Sequence, residues 1–115
     1  MAINVRHKDG VVIFRPSGRI FGPTALELRK TFDAELAKIP EAPKFLIDFT
    51  DIEMVGSSGL GALMGAHVAI ESKGGFIAIA NVGTNIENLM IRSRLFDIFE
   101  HFDNEDEAIE ALTAE

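Results

Sequence analysis

Two short apolar runs constrain this chain more than any other feature: KFLIDF at residues 44–49 and FIAIA at residues 76–80. Neither alternates apolar with polar, so each reads as a strand covered on both faces, the kind found in parallel sheets flanked by helices. Between them lies SSGLGALMGAHVAIESKGG, long enough for a helix and ended by Gly74-Gly75. Two buried strands joined through a helix lie parallel by a right-handed crossover.

The rest of the chain extends this pattern. INVRH alternates, Asp9-Gly10 offers a hairpin turn, and VVIFR follows until Pro16 ends its ladder. Residues 22–40, GPTALELRKTFDAELAKIP, read as a helix with Ala25, Leu28, Phe32 and Leu36 on one face, stopped by Pro40 and Pro43. Thr24 and Glu27 have capping-box spacing, as do Thr84 and Glu87 before NLMIRSRL and Asn104 and Glu107 in NEDEAIEAL. FDIFEHF at residues 96–102 reads as a last short strand. The order β-β-α-β-α-β-α-β-α predicts one α/β domain over residues 1–115. Its sheet is mixed and mostly parallel, with about five strands and about four helices; helices mainly on one face would suit so short a chain.

Charge and composition exclude several functions. The net charge of −7 repels a nucleic-acid backbone, and the eleven basic residues are scattered, with no cluster beyond pairs such as Arg92 and Arg94. The chain has no cysteine, hence no disulfide or thiolate metal site. The N-terminus lacks an apolar signal core and no run is long enough to cross a membrane, so a cytoplasmic protein with no membrane insertion is the expectation.

The helix after MVGSSGLG differs from the other three in starting without a capping-box glutamate, and no carboxylate answers its positive N-terminal end. A bound phosphate, or a phosphate carried by a serine, fits such an end; so does a plain N-cap by Ser57 or Ser58. Gly61 and Gly65 lie inside this helix, and close packing on the sheet accounts for one of them while a partner surface stays open for the other. Leu60, Leu63, Met64, His67 and Val68 form its apolar stripe.

Enzyme motifs fail on spacing. No Lys follows the glycines as an ATPase phosphate loop requires, and neither serine sits in G-x-S-x-G. GLGALMG is a loose relative of the dinucleotide fingerprint, without an acid placed to hold a ribose on the next strand. His67 and Glu71 are spaced i, i+4, but His67 lies in an apolar stripe and reads as structural; His7 and His101 have no evident partner. Asp48, Asp51 and Glu53 read as solvated loop carboxylates. No catalytic residue, metal site or cofactor site emerges.

Residues 45–82, FLIDFTDIEMVGSSGLGALMGAHVAIESKGGFIAIANV, resemble the core of STAS domains, particularly the anti-sigma factor antagonists. GRIFGPTALELRKTF resembles the family's first loop and helix, and LMIRSRLFDIFEHFDNEDEAIEAL its ending. The resemblance implies a STAS-like fold and a regulator without catalytic activity that works by partner switching. It implies binding to an anti-sigma factor that is also a serine protein kinase, release on phosphorylation at Ser57 (Ser58 being the second choice), and resetting by a phosphatase. The implied partner surface comprises Gly22, Thr24, Gly56, Ser57, Ser58, Gly59, Leu60 and Gly61. Gly56 stands where the family has Asp, and Phe21-Gly22 where an acidic pair is frequent. These departures keep a second reading open, a STAS module that binds partners unphosphorylated in another signalling or transport assembly. A small dinucleotide-binding enzyme is the distant third.

Overall fold

The computed structural model describes residues 2–114. Strands β1 (Ile3–Lys8) and β2 (Val11–Pro16) form the hairpin, and β4 (Lys44–Asp48), β6 (Phe76–Ala80) and β7 (Glu100–Phe102) complete a five-stranded sheet in the order β1-β2-β4-β6-β7. Only β1 runs antiparallel to its neighbour; the other pairings are parallel, in register Phe45 to Ile77 and Ile47 to Ile79. The four helices are α1 (Pro23–Leu36), α2 (Ser57–Ser72), α3 (Thr84–Arg92) and α4 (Glu105–Thr113). The expected architecture is therefore the one observed. The segment read as one final strand divides into a 3₁₀ turn, Phe96–Ile98, and β7.

Burial on both faces of the central strands divides the helices three to one. Alternate residues point to opposite faces. Val12, Phe14, Phe45, Ile47, Ile77 and Ile79 meet Leu28 and Phe32 of α1, Leu63 and Ile70 of α2, and Met90 of α3. Val11, Ile13, Leu46, Ala78 and Ala80 meet Ala108, Ile109 and Leu112 of α4. The larger core centres on Phe14, whose ring lies 4.9 Å from Phe32 edge to face and 4.7 Å from Phe45. The four-residue stripe predicted for α1 is buried in full. The stripe predicted for α2 is not: Ala62 and Ala66 face the core with Leu63, while Val68 is 57% exposed. Small side chains let α2 lie close to the sheet and to α1; the carbonyls of Leu36, at the end of α1, and of Ile39, just beyond it, accept from Lys73 Nζ at 2.8 and 3.1 Å.

The helix starts also differ from expectation. Asn104 Oδ1 does accept from Glu107 N–H, at 2.9 Å. Thr24 and Thr84 cap nothing: α1 begins at Pro23 after Gly22 and α3 begins at Thr84 itself after Gly83. Proline at the first helical position starts α1 one residue too early for Thr24 to cap it. Thr24 Oγ1 instead accepts from Phe21 N–H at 3.0 Å and faces the Arg19 carbonyl at 2.7 Å. The lack of a first-turn carboxylate is thus shared by α1 and α2.

Two short strands unforeseen in the sequence, β3 (Gly18–Ile20) and β5 (Ile52–Val55), pair in parallel as a separate ribbon. Asp48, read as a solvated loop carboxylate, is buried at the carboxyl end of β4. Its Oδ1 accepts from Thr50 N–H (2.9 Å), Thr50 Oγ1 (2.6 Å) and Asn81 Nδ2 (3.0 Å). Burial raises its pKa, but hydrogen bonds from Glu105, Thr50 and Asn81 outweigh that and hold it at about 2. Glu105, at the start of α4, is pushed up by its bond to Asp48 and by burial, against the opposing pull of Arg6.

Asp48 therefore stabilises the fold fully above the ordinary aspartate range, and that stabilisation is lost as pH falls toward about 2. The expected gap between the native chain and Asp48→Ala is on the order of 2 kcal/mol near neutrality, closing as pH drops from about 5 to about 2. Urea unfolding across that range measures it; a gap independent of pH contradicts the assignment.

Candidate functional site

The ribbon of β3 and β5 brings the GSSGLG stretch against the loop before α1. Gly56 N–H donates to the Ile20 carbonyl at 3.0 Å, continuing the ribbon into the N-cap of α2. Gly59 then packs on the same carbonyl: a Cβ there would lie 2.5 Å from Ile20 O and 2.7 Å from Val55 Cγ1. Glycine is required at 59 because backbone fills the place of its side chain. Gly59 is buried and Leu60 half-buried against the core, so both serve the first turn's seating rather than its outer surface.

Ser57 and Ser58 are exposed, but they differ. Ser58 Oγ accepts from Gly22 N–H at 2.7 Å, which ties the start of α2 to the N-cap of α1. Ser57 is the first helical residue, and neither it nor Gly56 provides a side-chain cap. Two helix N-termini without first-turn acids thus meet here, each contributing partial positive charge. Phe21, Leu26 and Met54, all from the ribbon and the start of α1, are 48%, 54% and 41% exposed. Gly22, the N-cap of α1, is exposed, and Thr24 in its first turn is half-buried.

The two departures noted in the sequence touch one another. A Cβ on Gly56 would stand 2.9 Å from Phe21 Cβ, so an aspartate at 56 and the present placement of Phe21 exclude each other without adjustment. Gly61 and Gly65, by contrast, are not needed for packing on the sheet. A Cβ on Gly61 meets nothing within 4 Å, and one on Gly65 makes ordinary contact with the Arg29 guanidinium at 3.8 Å. The packing role expected for one of them belongs to Gly59. Between α1 and α2 runs a groove of about 340 Å³, lined by Gly22, Leu26, Arg29, Ser58, Gly61 and Ala62 over the buried Ala25.

A larger concavity, about 730 Å³, lies at the carboxyl ends of β2, β4 and β6, between β1 and the start of α4. Most of its charged groups are already paired, Arg6 with Glu105 at 2.6 Å and Arg15 with Asp51 at 2.9 Å, beside the buried Asp48 network, and Asp106 lines the same rim. It ties strand ends to α4. Among the described residues no group of three or more His, Asp or Glu is gathered to hold a metal ion. His67 packs edge-on against Phe99 with ring centroids 5.5 Å apart and its Nδ1 buried, a structural histidine as expected. All three glycines of GLGALMG lie inside α2, so none of them makes the strand-to-helix turn of a dinucleotide loop.

The STAS domain family model matches residues 2–108. A curated relative, the anti-sigma F factor antagonist of Paenibacillus polymyxa, is 30% identical over 97% of this chain and 95% of its own length. A solved Thermotoga maritima structure described as an anti-sigma factor antagonist superposes with a TM-score of 0.89 at 26% identity, covering 97% of this chain and 95% of that one. An anti-sigma factor antagonist from Mycobacterium paratuberculosis gives 0.86 at 26% identity, covering 98% and 94%.

The glycines separate experimentally. Gly59→Ala is expected to destabilise by about 1–3 kcal/mol through overpacking, and Gly61→Ala to stabilise by about 1 kcal/mol through helix propensity. Urea titration of both variants checks the pair; equal effects contradict the seating of the first turn on Ile20.

Proposed function

The chain belongs to the STAS domain family, among its anti-sigma factor antagonists, and from that premise we propose that it is a regulator that acts by partner switching. Its partner is an anti-sigma factor with serine protein kinase activity, which docks over the start of α2 and the loop before α1. The observation that carries the reading is the difference between the serines: Ser58 is engaged by Gly22 N–H, whereas Ser57 stands exposed at the first helical position within an apolar rim. Gly22, Thr24, Gly56 and Gly61 surround this surface, and Gly59 and Leu60 support it from within.

The chemistry of the switch follows from charge. Ser57 Oγ attacks the γ-phosphorus of ATP held by the kinase; the new O–P bond forms as the bond to the β–γ bridging oxygen breaks, ADP leaves, and a base on the kinase takes the hydroxyl proton. The product adds about −1.5 to −2 charge at pH 7 inside an interface rimmed by Phe21, Leu26 and Met54. Free in solution, that phosphate sits at a helix N-terminus with open N–H groups, which stabilise it. Phosphorylation therefore weakens the complex without weakening the fold. A phosphatase, delivering water to the phosphorus and releasing inorganic phosphate, restores binding. ATP-dependent control of this kind fits a cytoplasmic protein, and no described helix is long and apolar enough to cross a membrane.

One observation favours the second reading, a STAS module that binds unphosphorylated. The mutually packed Phe21 and Gly56 replace acids that the family carries beside the phosphoacceptor.

Incubation with candidate kinases from the same genome and ATP, followed by mass spectrometry, distinguishes the two. The expected result is phosphate on Ser57, absent from Ser57→Ala. Ser57→Asp should bind the kinase at least about tenfold more weakly, a loss of about 1.4 kcal/mol, while its fold is stabilised by about 0.3–1 kcal/mol through the helix dipole. Tight binding with no phosphate on any serine supports the second reading instead.

A further inference from the structure

The groove between α1 and α2 differs in charge from the molecule around it. The chain has a net charge of −7, yet the groove lining holds no carboxylate and one cation, Arg29. Arg29 is exposed and, among the described residues, forms no ion pair. Its guanidinium lies across Gly65, 3.8 Å from where a Cβ would stand, and Gly61 one turn earlier faces open space. Leu26, 54% exposed, forms the wall opposite. Gly61 therefore leaves the first part of α2 open to close approach from outside, while the Arg29 guanidinium covers the turn at Gly65.

We infer that this groove receives an apolar segment of the protein partner carrying one Asp or Glu, whose carboxylate pairs with the Arg29 guanidinium. The inference rests on the partner-switching reading and specifies the chemistry of the surface that the partner presents. A guanidinium covered by a partner loses water and needs an anion in return, and its planar fork matches a carboxylate in a bidentate pair. A basic partner segment would meet no acid in the groove, whose lining holds no carboxylate. On so acidic a chain the pair sets register and specificity rather than the speed of encounter. The backbone or small side chains of the segment rest on Gly61, beside Ser58, which is one residue from the proposed phosphoacceptor.

The test uses the full chain and each purified histidine-kinase-like ATPase of the same genome, titrated by calorimetry. For the ATPase that binds, Arg29→Ala should weaken affinity at least about tenfold and Arg29→Glu further. Gly61→Leu should also weaken it, with thermal melts confirming that each variant is folded. An Asp or Glu to Arg change in the partner should restore binding to Arg29→Glu. If Ser57→Asp weakens binding while Arg29→Glu and Gly61→Leu do not, the groove inference is overturned and the switching function stands. If no acidic position of the partner gives rescue, the carboxylate assignment is overturned. If the native chain binds none of the ATPases, the functional reading falls and the inference with it.

Discussion

The seat of α2 on the Ile20 carbonyl, open only because residue 59 has no side chain, governs the geometry of the whole surface around Ser57. A helix cannot rest directly on a strand's terminal carbonyl if a methyl group intervenes. With that seat in place, Gly56 extends the β3–β5 ribbon, Ser58 reaches the Gly22 amide, and α1 and α2 start side by side. Exposure of Ser57 follows as a remainder: its two neighbours are each committed to an internal contact. The surface is thus shaped by backbone hydrogen bonds more than by side-chain packing, which gives it rigidity at a place where a binding partner needs a fixed target.

The large-scale order of the chain was legible because it depends on long apolar signals. KFLIDF and FIAIA can satisfy their composition only when buried on both faces, and the α1 stripe has one way to turn. Details governed by a single residue were less legible. Thr24-x-x-Glu27 has capping-box spacing, yet Pro23 moves the helix start and sends the threonine hydroxyl to the loop. The strands β3 and β5, three and four residues long, are too short to stand out; they exist because each offers the other its ladder. Asp48 resembled any loop carboxylate, and its burial depends on Asn81 and Glu105, which lie far along the chain. One local sign was available, the threonine two residues on, whose amide and hydroxyl both return to the carboxylate.

The candidate site divides in the same way. Its location was legible from the glycines and paired serines, but the distinct tasks of those glycines were not. Position 59 is filled by Ile20, position 56 is matched to Phe21, and position 61 faces outward. No spacing rule separates these cases, since each depends on what a distant loop places opposite. At position 56 the close neighbour is the Cβ of residue 21 rather than its ring, so the glycine there is matched to the course of the loop before α1.

The three-to-one division of helices has a consequence for how the domain can be joined to other things. Helix α4 starts beside Asp48 at the carboxyl ends of the strands and runs to Ala114, which lies near Lys44 and Phe76 at their opposite ends. The chain therefore leaves the sheet at the pole remote from Ser57. A linker, label or immobilising tether attached after α4 would hold the domain with its docking end outward, so that neighbouring domains in an assembly could share one anchor without crowding one another's partners.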